Sequence, residues 1–302
     1  MDELTLDHPP QLENAVLVVA FEGWNDAGDV ASSAARWLVN RWTARRFAWL
    51  DPEEYYDFTS PSARPHVALD SRGLRQLTWP GNDWYEITGA PLSRPLVVMV
   101  GNEPQLRWRR YTTLVLDLAD RVGVTTVVAL GAYLEQVPHT RPPRLSGSAN
   151  DRRLRERLAR AGVPPSHYQG PTGIVSALQD ACRQRGRSAA SIWGAVPTYI
   201  AAAPNPRLLQ AVLKALGTFL DMALDLSELE AEARRFEERI NSAVQSNPEV
   251  AKHVRALEQQ VDERETRALP AGPEPQLPSG ADLVEELERF LRSRQRDQRG
   301  EE

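Results

Sequence analysis

Five apolar runs, at residues 16–21, 46–50, 96–100, 124–130 and 192–196, read as buried β-strands. Between most of them the apolar residues fall three and four apart, the period of a helix with one buried face. Val30, Ala34, Trp37 and Leu38 form such a stripe after the first run, and Tyr111, Leu114, Val115, Leu118 and Val122 form another after the third. Residues 174–182 and 208–224 supply two more helices. This alternation predicts an α/β fold, a three-layer α/β/α sandwich around a mostly parallel sheet with helices on both faces. In such sheets ligands and partners gather at the carboxyl ends of the strands.

Residues 73–88 break the alternation. Leu74, Gln76 and Thr78 on one side of Pro80-Gly81-Asn82-Asp83, and Trp84, Glu86 and Thr88 on the other, predict an inserted β-hairpin turning at that tetrapeptide. Its aromatic residues Trp79, Trp84 and Tyr85 are expected to pack on the parent sheet. Near residue 225 the composition shifts to Glu/Arg-rich sequence striped by Leu226, Leu229, Ala233, Phe236, Ile240 and Val244. Asn247 then serves as an N-cap and Pro248 as a first helical residue, with Val250, Val254, Leu257 and Val261 striping the next helix. The expected organisation is an α/β domain over 1–224 and a helical extension over 225–302. The extension comprises an antiparallel helical hairpin, a Pro-rich linker at 270–278 and a terminal helix capped by Ser279.

Composition narrows the class. Hydrophobic residues make up 41% and charged residues 25% of the 302, the profile of a folded domain with a small appendage. No run approaches the length of a membrane span, and the acidic first ten residues lack the pattern of a signal peptide, so a cytoplasmic protein is expected. The net charge of -5 argues against nucleic acid as a partner. The arginines between Arg141 and Arg160 read as a solvated helix face. The single cysteine, Cys182, excludes an internal disulfide and reads as a packed thiol. Lysine occurs only at Lys214 and Lys252, which restricts lysine-dependent chemistry.

Catalytic signatures are missing. There is no Gly-x-x-x-x-Gly-Lys loop and no Gly-x-Ser-x-Gly elbow. The five histidines show no helical pair suited to zinc, and His139 and His167 lie in Pro-containing loops where a surface position is the default. No metal and no cofactor is expected. One stretch stands out: Gly23-Trp24-Asn25-Asp26-Ala27-Gly28, directly after the first strand. Turn and cap needs account for these residue types, with Asp26 and Asp29 as a capping box. The alternative is an anion held by backbone N–H groups at the helix start. Asn102 and Glu103 follow the third strand, and Tyr133 and Glu135 the fourth. In a parallel sheet, Gly23, Trp24, Asn25, Asp26, Asn102, Glu103, Tyr133 and Glu135 are therefore candidates for one polar crevice.

Two segments also carry a resemblance. Phe21-Glu22-Gly23-Trp24-Asn25-Asp26-Ala27-Gly28 and Val196-Pro197-Thr198-Tyr199-Ile200-Ala201-Ala202-Ala203-Pro204-Asn205-Pro206 resemble the PAC2 family, named for proteasome assembly chaperone 2. Gly170-Pro171-Thr172-Gly173-Ile174-Val175 and Val137-Pro138-His139-Thr140-Arg141-Pro142 are similar to its intervening segments. The resemblance covers about residues 13–224, and the helical part resembles the extension of actinobacterial members. It implies a three-layer domain similar to the purine nucleoside phosphorylase fold, and homo- or hetero-oligomers, with a homotrimer as the working number. Relatives in eukaryotes and archaea assist 20S proteasome assembly by binding its α subunits. Some end in a hydrophobic-Tyr-any residue docking motif, whereas this sequence ends Gly300-Glu301-Glu302.

Two functions follow. The first is a non-enzymatic assembly or interaction factor, with proteasome α subunits as partners by family analogy. The alternative is a small-molecule enzyme or binder, for a nucleotide, nucleoside or carboxylate, that uses the strand-end crevice. Against the ATP-grasp chemistry to which some relatives have been assigned stands the scarcity of lysine.

Overall fold

The computed structural model describes residues 3–91, 93–201 and 204–268. Its strands are β1 (Leu4–Leu6), β2 (Ala15–Glu22), β3 (Thr43–Leu50), β4 (His66–Leu69), β5 (Arg75–Thr78), β6 (Asn82–Thr88), β7 (Leu96–Asn102), β8 (Val124–Glu135), β9 (Leu145–Ala149) and β10 (Ser188–Pro197). Its helices are α1 (Val30–Arg41), α2 (Trp108–Arg121), α3 (Arg152–Arg160), α4 (Ile174–Gln184), α5 (Pro206–Leu220), α6 (Ser227–Gln245) and α7 (Pro248–Ala268).

Eight strands form one mixed sheet in the order β1-β3-β6-β7-β2-β8-β10-β9. The four central strands, β7, β2, β8 and β10, run parallel, and the flanking strands join antiparallel. The centre follows from composition: β2 and β7 are buried on both faces, as continuous Val/Leu runs require. Alternate residues feed two cores. Val16, Val18, Ala20, Val128, Leu130 and Ile192 pack toward α1, α3 and α5, while Leu17, Val19, Phe21, Met99 and Val127 pack toward α2 and α4. The expected α/β/α layering is therefore observed, with the parallel part confined to the middle of the sheet.

The expected hairpin is paired differently. Pro80 and Gly81 do break the chain, but β5 turns back onto β4, and β6 enters the main sheet between β3 and β7. The reason is local. The Asp70 carboxylate accepts from the N–H groups of Arg72 (2.8 Å) and Leu74 (2.9 Å), which closes a tight turn at residues 70–73 and commits β5 to β4. Asn82 and Trp84 are then free to be buried in the sheet. Trp79 instead stays half exposed with its ring edge against Phe58.

Helices α6 and α7 appear where the stripe predicted them, joined by Ser246 and Asn247, and Asn247 caps α7 through Glu249 and Val250 N–H. Leu229 of α6 enters the same core as α1 and α5. By compactness the chain divides into Met1–Glu258 and Gln259–Glu302. Within the second, residues 259–268 are helical, and the expected linker and terminal helix at 270–302 lie outside the described residues. Among the described residues no helix is long and apolar enough to cross a membrane.

Candidate functional site

The carboxyl ends of the central parallel strands meet at one rim. After β2, Gly23 turns the chain, and Asn25 and Asp26 extend pairing to β8: the N–H of Ala132 donates to the Asn25 carbonyl (2.7 Å) and Asp26 bridges Ala132. After β7, the N–H of Glu103 donates to the Glu22 carbonyl (2.9 Å). The Glu103 carboxylate is almost fully buried and receives two donors on Oε1, the Asn25 amide (2.6 Å) and the N–H of Ile174 (2.9 Å). It thus caps the start of α4, where a negative charge meets the positive end of the helix. Gly173 is seated directly on this pair: a Cβ there would lie 2.4 Å from Asn25 Oδ1 and 2.7 Å from Glu103 Oε1. The space between Asn25, Glu103 and the start of α4 is consequently filled by protein.

Asp26 caps α1, though not by the expected capping box. Gly28 and Asp29 both adopt left-handed backbone, a one-turn 3-10 helix (Ala27–Asp29) precedes α1, and the Asp29 side chain makes no cap bond. Asp26 reaches over this turn instead, accepting from the N–H groups of Ala31 (2.6 Å) and Ser32 (3.2 Å). Burial pushes its carboxyl up to about 6, against the opposing pull of the Ser32 and Ala31 donors. Its Oδ2 and the Asn25 Oδ1 have no hydrogen-bond partner among the described residues.

A pH dependence follows. The unfolded carboxyl ionises near 3.8 and the folded one near 6. Stability is therefore lost as pH rises through this window, by up to about 3 kcal/mol. Asp26→Asn keeps an acceptor for both N–H groups without the buried charge. It should match wild type below pH 4 and exceed it at pH 8 by about 1–3 kcal/mol. Asp26→Ala should lose about 1 kcal/mol at pH 4 through loss of the cap. Urea unfolding of the three proteins at both pH values reads these differences.

The other candidates do not converge on this pair. Asn102 turns to the opposite side, donating to Glu22 Oε2 and the Ser62 carbonyl (both 3.2 Å), beside a cleft of about 830 Å³ that also contacts Arg36, Arg46 and Asn82. Glu135 pairs with Arg144, and Tyr133 tilts against Trp193. Burial, then the nearby Glu135, raises the Tyr133 phenol. Trp24 is 65% exposed. Asp26 and Glu103 each serve a different helix start, a structural task. Cys182 is buried and its thiol is pushed up to about 11 by desolvation, which leaves it unreactive.

Two features escaped the sequence. His139 is buried and not on the surface: its Nδ1 lies 2.7 Å from the Tyr199 hydroxyl and its Nε2 3.0 Å from Asn241 Oδ1. The backbone N–H of His139 also donates to that hydroxyl (2.7 Å). The hydroxyl hydrogen then points at Nδ1, so the proton sits on Nε2 and donates to Asn241. This ties the 137–142 loop to α6. Arg207 reinforces it, donating to the His139 carbonyl and pairing with Glu237 (3.3 Å). Asn82, read as a turn residue, is a buried acceptor for the hydroxyls of Tyr56 (2.8 Å) and Tyr111 (2.7 Å). No local pattern marks either role, because every partner is distant in sequence.

The two segments that carried the family resemblance come together in space. Gly28 at the end of the first with the adjoining Asp29, and Pro204, Asn205 and Pro206 of the second, line one cleft of about 750 Å³ against α6 residues Arg235, Phe236 and Arg239. Asn205 caps α5 through Leu208 N–H (3.0 Å), with Pro206 in the first turn.

Comparison with known proteins agrees with this geometry. Residues 20–244 match the model of the PAC2 family. A PAC2 family protein from Streptomyces avermitilis is 40% identical, with a TM-score of 0.70 over 80% of this chain and 99% of that one. A proteasome-assembly chaperone homologue from Mycobacterium tuberculosis is 37% identical, with a TM-score of 0.71 over 79% of this chain and 99% of that one. An archaeal proteasome activator from Pyrococcus furiosus shares the fold at 19% identity, with a TM-score of 0.62 over 80% and 99% of the two chains. None of the curated proteins matches the chain. With the family model spanning most of the sequence and both signature segments meeting at one cleft, the chain belongs to the PAC2 family.

Proposed function

We propose that this protein is a cytoplasmic, non-enzymatic assembly factor that self-associates and holds subunits of a larger complex, proteasome α subunits by family analogy. The observation that carries this reading is the filled part of the rim beside Asn25 and Glu103. Asn25, Glu103 and the start of α4 occupy the place where a member of an α/β enzyme family would bind substrate. Membership of a family whose relatives include a proteasome-assembly chaperone homologue supports the choice of partner. In this reading residues 1–224 are the PAC2-like α/β domain and the residues beyond it an extension that offers partner surface. Tagged full-length protein captured from its own cells should bring α subunits with it, and its deletion should slow 20S assembly. Recovery of the self-oligomer alone, with unchanged assembly in the deletion strain, would refute the proteasome reading.

A small-molecule role is favoured by one observation, the cleft of about 830 Å³ beside Asn102 at the ends of β2 and β7. A thermal-shift panel of nucleotides, nucleosides and carboxylates tests it. A ligand at a hundred times its Kd adds about 2.7 kcal/mol of stability, which such a screen detects. No shift across the panel removes this reading.

A further inference from the structure

The cleft of about 750 Å³ between the start of α1, the start of α5 and α6 is lined by five charged residues, Asp29, Glu232, Arg235, Glu238 and Arg239. None of their charged groups forms an ion pair or a hydrogen bond among the described residues. Spacing does not explain this. On the same helix Arg234 pairs with Glu230 one turn away (3.1 Å). Arg235 has Glu232 three positions before it and Glu238 three after, yet pairs with neither. Arg239 has only Arg235 as a charged neighbour one helical turn away, and such a like-charge pair weakens a helix. Across the cleft, Asp29 holds a left-handed backbone (φ 53°) that side chains adopt at a cost, and its carboxylate does not cap α1. These charges are turned to the cleft and not to one another. Between them the lining is apolar, from Pro206, Leu209 and the buried Phe236.

We propose that this cleft binds a free α-amino acid with a large apolar side chain. Its carboxylate pairs with the guanidinium groups of Arg235 and Arg239, its ammonium with the carboxylates of Asp29 and Glu232, and its side chain lies on Leu209 and Phe236. The mixture of signs selects this class. An anion alone would meet three carboxylates, and a cation alone two guanidinium groups, each brought close to like charge. A zwitterion answers both sets at once. The planar fork of arginine takes a carboxylate through two parallel N–H bonds, which also fixes the direction in which the ligand lies. The volume falls within the range of small-molecule sites, about 300–1,000 Å³. This cleft shares no lining residue with the one beside Asn102, so neither function proposed above depends on it.

Isothermal titration of the full chain with L-leucine, L-methionine and L-phenylalanine tests the proposal. At least one should bind with a Kd below about 1 mM. The amide of that amino acid lacks the carboxylate and its N-acetyl derivative lacks the ammonium; each should bind at least about 10-fold more weakly. Arg235→Gln with Arg239→Gln should abolish the difference between the amino acid and its amide. Asp29→Asn with Glu232→Gln should abolish the difference between the amino acid and its N-acetyl derivative. All four positions are exposed, and asparagine accepts left-handed backbone, so both variants should melt like wild type. No binding by any of the three at about 10 mM, an affinity that needs only one of the two ligand charges, or variants that keep the wild-type discrimination would overturn it.

Discussion

Gly123→Ala is expected to yield no folded protein. Gly123 lies between α2 and β8 with φ +79°, and an added Cβ would sit 1.8 Å from the Leu12 carbonyl oxygen. The obstructing atom is backbone, and that backbone is fixed: Leu12 N–H donates to the Val122 carbonyl (3.2 Å) and Ala15 N–H to the Gly123 carbonyl (2.9 Å). Relief would require pulling the entry of β2, the central strand, away from α2. The cost is at least about 4 kcal/mol, the range in which a backbone clash adds to a strained left-handed residue. Gly162→Ala is the control, since its φ of +71° imposes similar strain with nothing within 4 Å of the added Cβ. It should lose only about 1 kcal/mol. Soluble yield and thermal unfolding of the pair separate contact from strain, and equal behaviour would contradict the packing described.

Glu103→Leu is the second large effect expected. Its carboxylate is the acceptor for both the Asn25 amide and the Ile174 N–H, so leucine leaves two buried donors without a partner. At about 1.5–3 kcal/mol for each hydrogen bond to a charged group, a loss of about 3–5 kcal/mol is expected. Glu103→Gln keeps an oxygen at the same place and should recover most of it, falling short by the helix-end attraction of about 0.3–1 kcal/mol. Urea midpoints of the two variants give the answer. If Glu103 served a ligand and not the fold, Glu103→Leu would remain as stable as wild type.

How much of this was legible in the sequence depended on how local the cause was. The β2, β7, β8 and β10 strands were readable because burial on both faces demands unbroken apolar residues, and Asn247-Pro248 named its own helix start. The β5–β6 pairing is misread because Pro80-Gly81 outweighs a second turn signal that is equally local, the Asp70 side chain and the left-handed Gly73 that turn β5 back onto β4. Asp26 was recognised as a cap, but its reach across the Ala27–Asp29 turn depends on left-handed backbone at Asp29, which no residue type dictates. At the rim, Asn25 and Glu103 were both named as candidates. That the N-terminus of α4 would be drawn in to close on them was not readable, because Gly173 gains its meaning only from side chains about 70 and 150 positions away in sequence.

The central claim is the proposed one, that this PAC2 family member acts by holding proteins, with the strand-end crevice at Asn25 and Glu103 occupied by the start of α4. Native mass spectrometry of the full-length chain mixed with separately purified 20S α subunits from the same organism tests it most directly. The account predicts a complex of defined stoichiometry between the self-associated chain and α subunits, unaffected by nucleotides or nucleosides. Spectra containing only the chain's own oligomer and free α subunits, at concentrations where both are folded, would contradict it.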